Sequence, residues 1–176
     1  MMDKGYLHIY YGDGKGKTTG ACGLAIRCAG AGGKVLFFQF LKKDNSSERN
    51  SMEKLYNISL LPGYPKIQFV SAMCKEERES ARQYYREMLS VMDERIQNES
   101  VDLLVLDEAL GAIETELLEE EELLSYLQSW KEHTELVLTG RTPTQKLLEL
   151  ADYVSCISKV RHPYDQGLMA RKMIEY

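Results

Sequence analysis

Apolar and polar positions alternate along this chain in two different periods. Residues 6–11 (YLHIYY) are aromatic and β-branched and run straight into the glycine-dense stretch 12–16, a pattern that predicts a strand ending in a tight loop. Over 17–31, Ala21, Leu24, Ala25 and Cys28 recur at helical spacing until Gly30, Gly32 and Gly33 stop the run, so a helix springs from that loop. Residues 35–41 (VLFFQFL) are almost continuously apolar, as a strand buried on both faces of a parallel sheet should be. The polar segment 42–57, with the turn signal Asn45-Ser46-Ser47, predicts a mobile loop, and its place after a strand makes it a candidate lid. A short strand is expected at 67–70. A charged helix is expected over 75–98, with Ala81, Tyr84, Tyr85, Met88, Leu89 and Met92 on its core face. Beyond it the pattern gives a strand at 101–106, an acidic amphipathic helix at 117–133, a strand at 135–139, a helix at 144–151 and a last strand at 153–157. The glutamate run at 119–122 fits a solvated face near a helix start.

Strands alternating with helices imply an α/β fold: a doubly wound, mostly parallel sheet flanked by helices with right-handed crossovers. A length of 176 residues supports one well-buried core, so residues 1–176 are expected to form a single domain. The hydrophobic fraction of 44% and charged fraction of 28% exclude the disordered and membrane-spanning classes. Acidic residues (27) outnumber basic ones (22), which argues against nucleic acid or an anionic membrane as partner; a polyanion must be held by a local site. Residues 1–5 lead into the first strand without an apolar leader or cleavage signal, so a cytoplasmic protein is expected. Cys22, Cys28, Cys74 and Cys156 lack the paired spacing of a zinc site and are expected to be reduced and mostly buried.

Ligands of open α/β sheets bind outside the carboxyl ends of the strands, and three such ends carry chemistry. The first is Gly12-Asp13-Gly14-Lys15-Gly16-Lys17-Thr18-Thr19. Its glycines let backbone N–H groups turn inward around phosphate oxygens, the helix N-terminus adds positive potential, Lys17 supplies a point charge, and the Thr18 hydroxyl can ligate Mg²⁺. This is a P-loop of the RecA-like NTPase kind with one departure: the usual spacing requires glycine at position 11, where Tyr11 stands, and the shortened loop carries an extra lysine, Lys15. The second is Asp107-Glu108 at the end of an apolar strand, where an acidic residue holds Mg²⁺ directly or through water. The third is Thr139-Gly140-Arg141, whose arginine suits bidentate phosphate binding. These features alone leave open a kinase or hydrolase acting at the γ-phosphate, or a nucleotide-dependent switch without turnover.

The loop GDGKGKTT, the strand end VLDE, the run LTGR followed by LLELADYVS, and the tail VRHPYDQGLMARKMIEY resemble the P-loop family of ATP:corrinoid adenosyltransferases that act on cob(I)alamin or cob(I)yrinic acid a,c-diamide. The match runs in order along nearly the whole chain and is densest over 5–41 and 101–176. The resemblance implies a homodimer that binds MgATP and a corrinoid and moves the 5′-deoxyadenosyl group to Co(I), with tripolyphosphate as leaving group and a flavoprotein as reductant. It implies that ATP lies reversed, so that the loop holds the leaving triphosphate while Lys15, Lys17, loop amides and Mg²⁺ neutralise its charge. Because Co(I) is itself the nucleophile, no attacking water needs orienting, and Glu108 is expected to hold Mg²⁺ with Thr18, Asp107 being the less certain partner. His162, before Pro163, is expected to serve the loop structurally. Family members with an N-terminal arm cover the site with it; here five residues precede the first strand. Some members also place Phe and Trp before the long middle helix to displace the lower axial ligand of cobalt. Phe69 and Met73 stand in the matching stretch, and the only tryptophan is Trp130, in a later helix.

Overall fold

A computed structural model of the chain describes residues 4–175. Its elements are β1 (Leu7–Tyr11), α1 (Lys17–Gly30), β2 (Val35–Gln39), α2 (Ser47–Met52), β3 (Ile58–Leu60), α3 (Lys75–Asn98), β4 (Leu103–Asp107), α4 (Ala109–Glu114), α5 (Glu120–Trp130), β5 (Glu135–Gly140), α6 (Gln145–Leu150) and β6 (Tyr153–Cys156), with short 3₁₀ turns at Val70–Ala72 and Pro163–Gln166. The six strands form one sheet in the order β3-β2-β4-β5-β1-β6, and each pairing is parallel. Helices cover both faces, which is the doubly wound, P-loop NTPase-like arrangement expected from the alternating periods.

Strand parity explains how the two layers form. Side chains on a strand alternate between faces, so Val35 and Phe37 of β2, Leu103 and Val105 of β4 and Val137 of β5 pack with Ala21, Cys22 and Ala25 of α1. Their neighbours Leu36, Phe38, Leu104, Leu106, Leu136 and Leu138 enter the larger cluster on the other face, built from α3, α4, α5 and α6. Every residue of β2 and β4 is buried, as an apolar run without alternation requires. On α3, Ala81, Tyr85, Met88, Leu89 and Met92 are buried. Trp130 locks α5 to α3: its indole Nε1 donates to Asp93 Oδ1 at 2.9 Å, and its ring stacks on Tyr126.

Four expectations need correction. No strand forms at 67–70; the strand at the edge beside β2 is β3, paired Val35 to Ile58 through Phe37 to Leu60. Pro62 and Pro65 keep the intervening stretch out of the ladder, and Ile67 instead plugs the core from a turn closed by its N–H on Tyr64 O. The segment 42–57 contains α2. The acidic helix spans only Glu120–Trp130, because α4 follows β4 directly and the N–H groups of Leu117 and Leu118 both close on Ala112 O before α5 begins. The cysteines are free, but only Cys22 is buried: Cys28 is half-buried, while Cys74 precedes α3 and Cys156 lies on the uncovered edge strand β6. Among the described residues no helix is long and apolar enough to cross a membrane. The expectation about a leader falls partly on residues 1–3, which lie outside the described residues.

Candidate functional site

The carboxyl ends of β1, β2, β4 and β5 meet the start of α1 at one edge of the sheet. After β1 the chain turns through Gly12 (φ 117°) and Gly16 (φ 125°), a backbone region that favours glycine. Gly12 and Gly14 also pass so close to the chain after β6 that a Cβ would lie 2.5 Å and 2.6 Å from Ile157 O. The loop is pinned there by Gly14 N–H on Ile157 O (2.8 Å) and by Gly12 N–H on Arg141 O (3.0 Å), so β1, β5 and β6 jointly hold its shape. Lys17 folds back across the loop and donates to Gly14 O at 2.7 Å. The Asp13 carboxylate accepts from Lys159 N–H at 2.9 Å, a bond that holds its carboxyl below the usual range.

Beneath the loop lies a polar hub centred on Asp107, which has no exposed surface. Its Oδ1 accepts from Thr18 Oγ1 (2.9 Å) and Thr139 Oγ1 (2.6 Å). Its Oδ2 accepts from Lys42 Nζ (2.7 Å) and Gln39 Nε2 (3.1 Å). Four donors on one buried carboxylate satisfy it fully. Lys42 also donates to Thr18 Oγ1 at 3.2 Å, and Gln39 Nε2 donates to Glu48 Oε1 of α2 at 2.9 Å. Burial pulls the Lys42 ammonium down, but the charge and hydrogen bond of Asp107 outweigh it, so the group is raised and stays charged.

Glu108 occupies the left-handed backbone region (φ 60°, ψ 21°), uncommon for a residue with a side chain and costing on the order of 1–3 kcal/mol. The turn is held by Glu108 N–H on Thr139 Oγ1 at 2.9 Å. Its carboxyl is pushed up, first by burial and then by Asp107, against the opposing pull of Lys42, Lys17 and Arg141.

Above the hub lies a cavity of about 760 Å³ lined by Asp13 to Thr19, Cys22, Lys42, Ser47, Glu48, Glu108, Arg141 and His162, within the usual range for small-molecule sites. The structure thus gathers Asp13, Gly14, Lys15, Gly16, Lys17, Thr18, Thr19, Glu108 and Arg141 around one space. Gly12 lies outside its wall and serves the loop's path. The side chain bonded to Thr18 is Asp107 rather than Glu108. The C-terminal segment closes one side through Met173, Ile174 and Glu175. Glu175 pairs with Lys15 at 2.7 Å, and its carboxyl is drawn down to about 2 by Arg171 and then by Lys15. His162 Nδ1 accepts from Tyr164 N–H at 3.1 Å, capping the 3₁₀ turn that follows. Phe69 projects into solvent, whereas Met73 is buried in the core beside α3.

The donor set suits Mg²⁺. Thr18 and Glu108 present hard oxygen groups to the cavity, and Asp107 is bonded to Thr18 beneath them. Mg²⁺ keeps several waters and is commonly held by one or two protein oxygens together with substrate phosphates.

The sequence pattern does not single out Lys42, Gln39 or Glu48, and it places Asp107 second to Glu108. One signal was available for two of them. Gln39 continues the parity of Val35 and Phe37, and Asp107 that of Leu103 and Val105, so both side chains turn to the face covered by α1, whose first turn carries Thr18.

Cys22 also lines the cavity, and its thiol is pushed up to about 12, first by burial and then by Asp107 and Glu48. It remains a neutral, unreactive thiol across neutral and mildly basic pH. Iodoacetamide treatment of the folded protein at pH 8, read by peptide mass spectrometry, is expected to label Cys74 and Cys156 and to leave Cys22 unmodified until the protein is denatured.

Comparisons with known proteins place the chain in a family. The family model for ATP:corrinoid adenosyltransferase BtuR/CobO/CobP matches residues 3–176. A corrinoid adenosyltransferase of Escherichia coli (strain K12) is 32% identical over 178 residues, covering 99% of this chain and 87% of that protein. The corrinoid adenosyltransferase CobA of Salmonella typhimurium is 30% identical over 178 residues, with the same coverages of 99% and 87%. Among solved structures, the cytoplasmic domain of EssC superposes with a TM-score of 0.57 at 15% identity over 95% of this chain and 34% of that one. A KaiC-like protein from Pyrococcus horikoshii superposes with a TM-score of 0.50 at 18% identity, over 98% of this chain and 76% of that one. At such identities these two structures share the fold alone. With a P-loop cavity at the head of its sheet and a family match that spans its length, the chain belongs to the BtuR/CobO/CobP family of ATP:corrinoid adenosyltransferases.

Proposed function

We propose that residues 1–176 act as one domain that transfers the 5′-deoxyadenosyl group of ATP to the Co(I) of a corrinoid, forming adenosylcobalamin or an adenosylated precursor and releasing tripolyphosphate. The observation that carries this reading is the gathering of Lys15, Lys17, Lys42 and Arg141 around one cavity at the P-loop of a chain from this family. In the reaction the Co(I) electron pair attacks C5′, the C5′–O bond to the triphosphate breaks, and the departing triphosphate carries the electron pair away. The protein's task is to neutralise charge growing on that leaving group, with donors fixed before the reaction starts. Lys17 lies across the loop, and the N–H groups at the start of α1 point toward the anion. Lys15 enters once it leaves Glu175, and Arg141 approaches from the end of β5. Thr18 and Glu108, with Asp107 bonded to Thr18 beneath them, would hold Mg²⁺, which would supply further positive charge to the triphosphate. A homodimer and a flavoprotein electron donor complete the proposed working assembly.

With Co(I) corrinoid and MgATP present, tripolyphosphate should appear in step with adenosylcorrinoid. Orthophosphate at that stoichiometry, with no alkylcobalt formed, would mean that the enzyme acts at the γ-phosphate.

Replacing Glu108 by Gln keeps the side chain's shape while removing one negative charge from the cation's surroundings. The expected result is a raised Mg²⁺ requirement and slower transfer, partly restored at high Mg²⁺. An unchanged Mg²⁺ dependence in steady-state assays would remove Glu108 from the metal's partners.

A further inference from the structure

Lys42 lies in the segment that the sequence marks as a loop, yet its side chain returns to the base of the site. The turn that sends it inward is Leu41, whose backbone is left-handed (φ 55°) and whose N–H donates to Tyr85 Oη at 3.1 Å. Its Nζ then sits 2.7 Å from Asp107 Oδ2, 3.2 Å from Thr18 Oγ1 and 3.9 Å from Glu48 Oε1. Three oxygen groups, two of them carboxylates, thus converge on one ammonium. Gln39 braces the same two carboxylates by donating to both.

An ammonium and a divalent cation seek the same hard oxygens and repel each other at contact distance, so they do not share this position. We infer that Lys42 is a built-in counter-cation of the metal site. It holds Thr18 and Asp107 together while no divalent ion is bound, and it gives up that place when Mg²⁺ arrives with the nucleotide. Because Lys42 already lines the cavity, the phosphate chain is the nearest new anion for the released ammonium. Glu48 ties α2 to this exchange: its links to Gln39 and Lys42 make the start of the 42–57 segment sensitive to which cation occupies the site.

The inference rests on the reading that Thr18 and Glu108, with Asp107 beneath them, hold a divalent cation, and Mn²⁺ binding followed by electron paramagnetic resonance separates the two claims without any turnover. Lys42→Met removes the competing charge. Lys42→Gln also removes it while keeping a donor for Asp107, and decides the matter if the methionine variant does not fold. Lys42→Arg keeps the charge. Both neutral variants are expected to bind Mn²⁺ at least about tenfold more tightly than the parent protein in the absence of nucleotide, a lower bound set by the repulsion between a unit charge and a divalent ion a few ångström apart even at the dielectric constant of bulk water. The arginine variant should bind no more tightly than the parent. Mn²⁺ affinity that is unchanged or weaker in both neutral variants overturns the counter-cation role while leaving the metal site standing. Failure of the parent protein to bind Mn²⁺ even with ATP present overturns both.

Discussion

Lys17→Ala is expected to lower adenosyl transfer by about 10²–10³-fold, the cost of removing one preorganised donor from a site of developing negative charge. The ammonium is held across the loop by Gly14 O at 2.7 Å, so it is already placed above the α1 N-terminus before ATP arrives. Alanine leaves the loop amides and Lys15, but Lys15 is drawn away toward Glu175. The fold should survive, since Lys17 is only partly buried and supports no core contact. Calorimetry should therefore show weaker MgATP binding together with an unaltered melting temperature. Parent-like affinity for MgATP would remove Lys17 from the triphosphate site.

The second large effect is expected at Asp107, and it is an effect on stability as well as on activity. All four partners of this buried carboxylate are donors, two on each oxygen. In Asp107→Asn the amide offers an oxygen to one pair and N–H groups to the other, so one pair meets donor against donor whichever way the amide turns. The Lys42 charge also loses its closest counter-charge. Breaking one side of such a pair costs about 3 kcal/mol, which for a chain of this size corresponds to about 6–12 °C in melting temperature. Scanning calorimetry in EDTA should show that loss. A melting temperature equal to that of the parent protein would mean that the hub contributes nothing to the fold.

How much of this was legible in the sequence varies by element. The buried strands β2 and β4 announce themselves as unbroken apolar runs, and β1, the glycine loop and α1 form a strand, turn and helix within a single reading. β3 escaped because three residues at a sheet edge, one buried and two half-buried, give no period to read, and α4 because six residues directly after a strand leave no room for a helical repeat. In the site, the glycine loop and the acidic pair are chemical signatures, and the structure brings the loop and Glu108 to one cavity with Asp107 bonded to Thr18 beneath it. Which acid of the pair touches Thr18 depends on strand parity, legible once the faces are assigned. Lys42 was not legible in the same way, because its position depends on the left-handed turn at Leu41, for which a leucine gives no sign. The C-terminal segment was legible only as a resemblance. Its contact with Lys15 through Glu175 joins residues 160 positions apart and has no local signature.

The central claim is that the protein forms a cobalt–carbon bond at the expense of ATP. The measurement that tests it most directly is the absorption spectrum of chemically reduced corrinoid mixed with MgATP and the protein. The Co(I) spectrum should decay into that of an alkylcobalt product that is lost again on exposure to light, and Lys17→Ala should slow the decay by about 10²–10³-fold. A Co(I) spectrum that persists in the presence of protein with ATP demonstrably bound would contradict it.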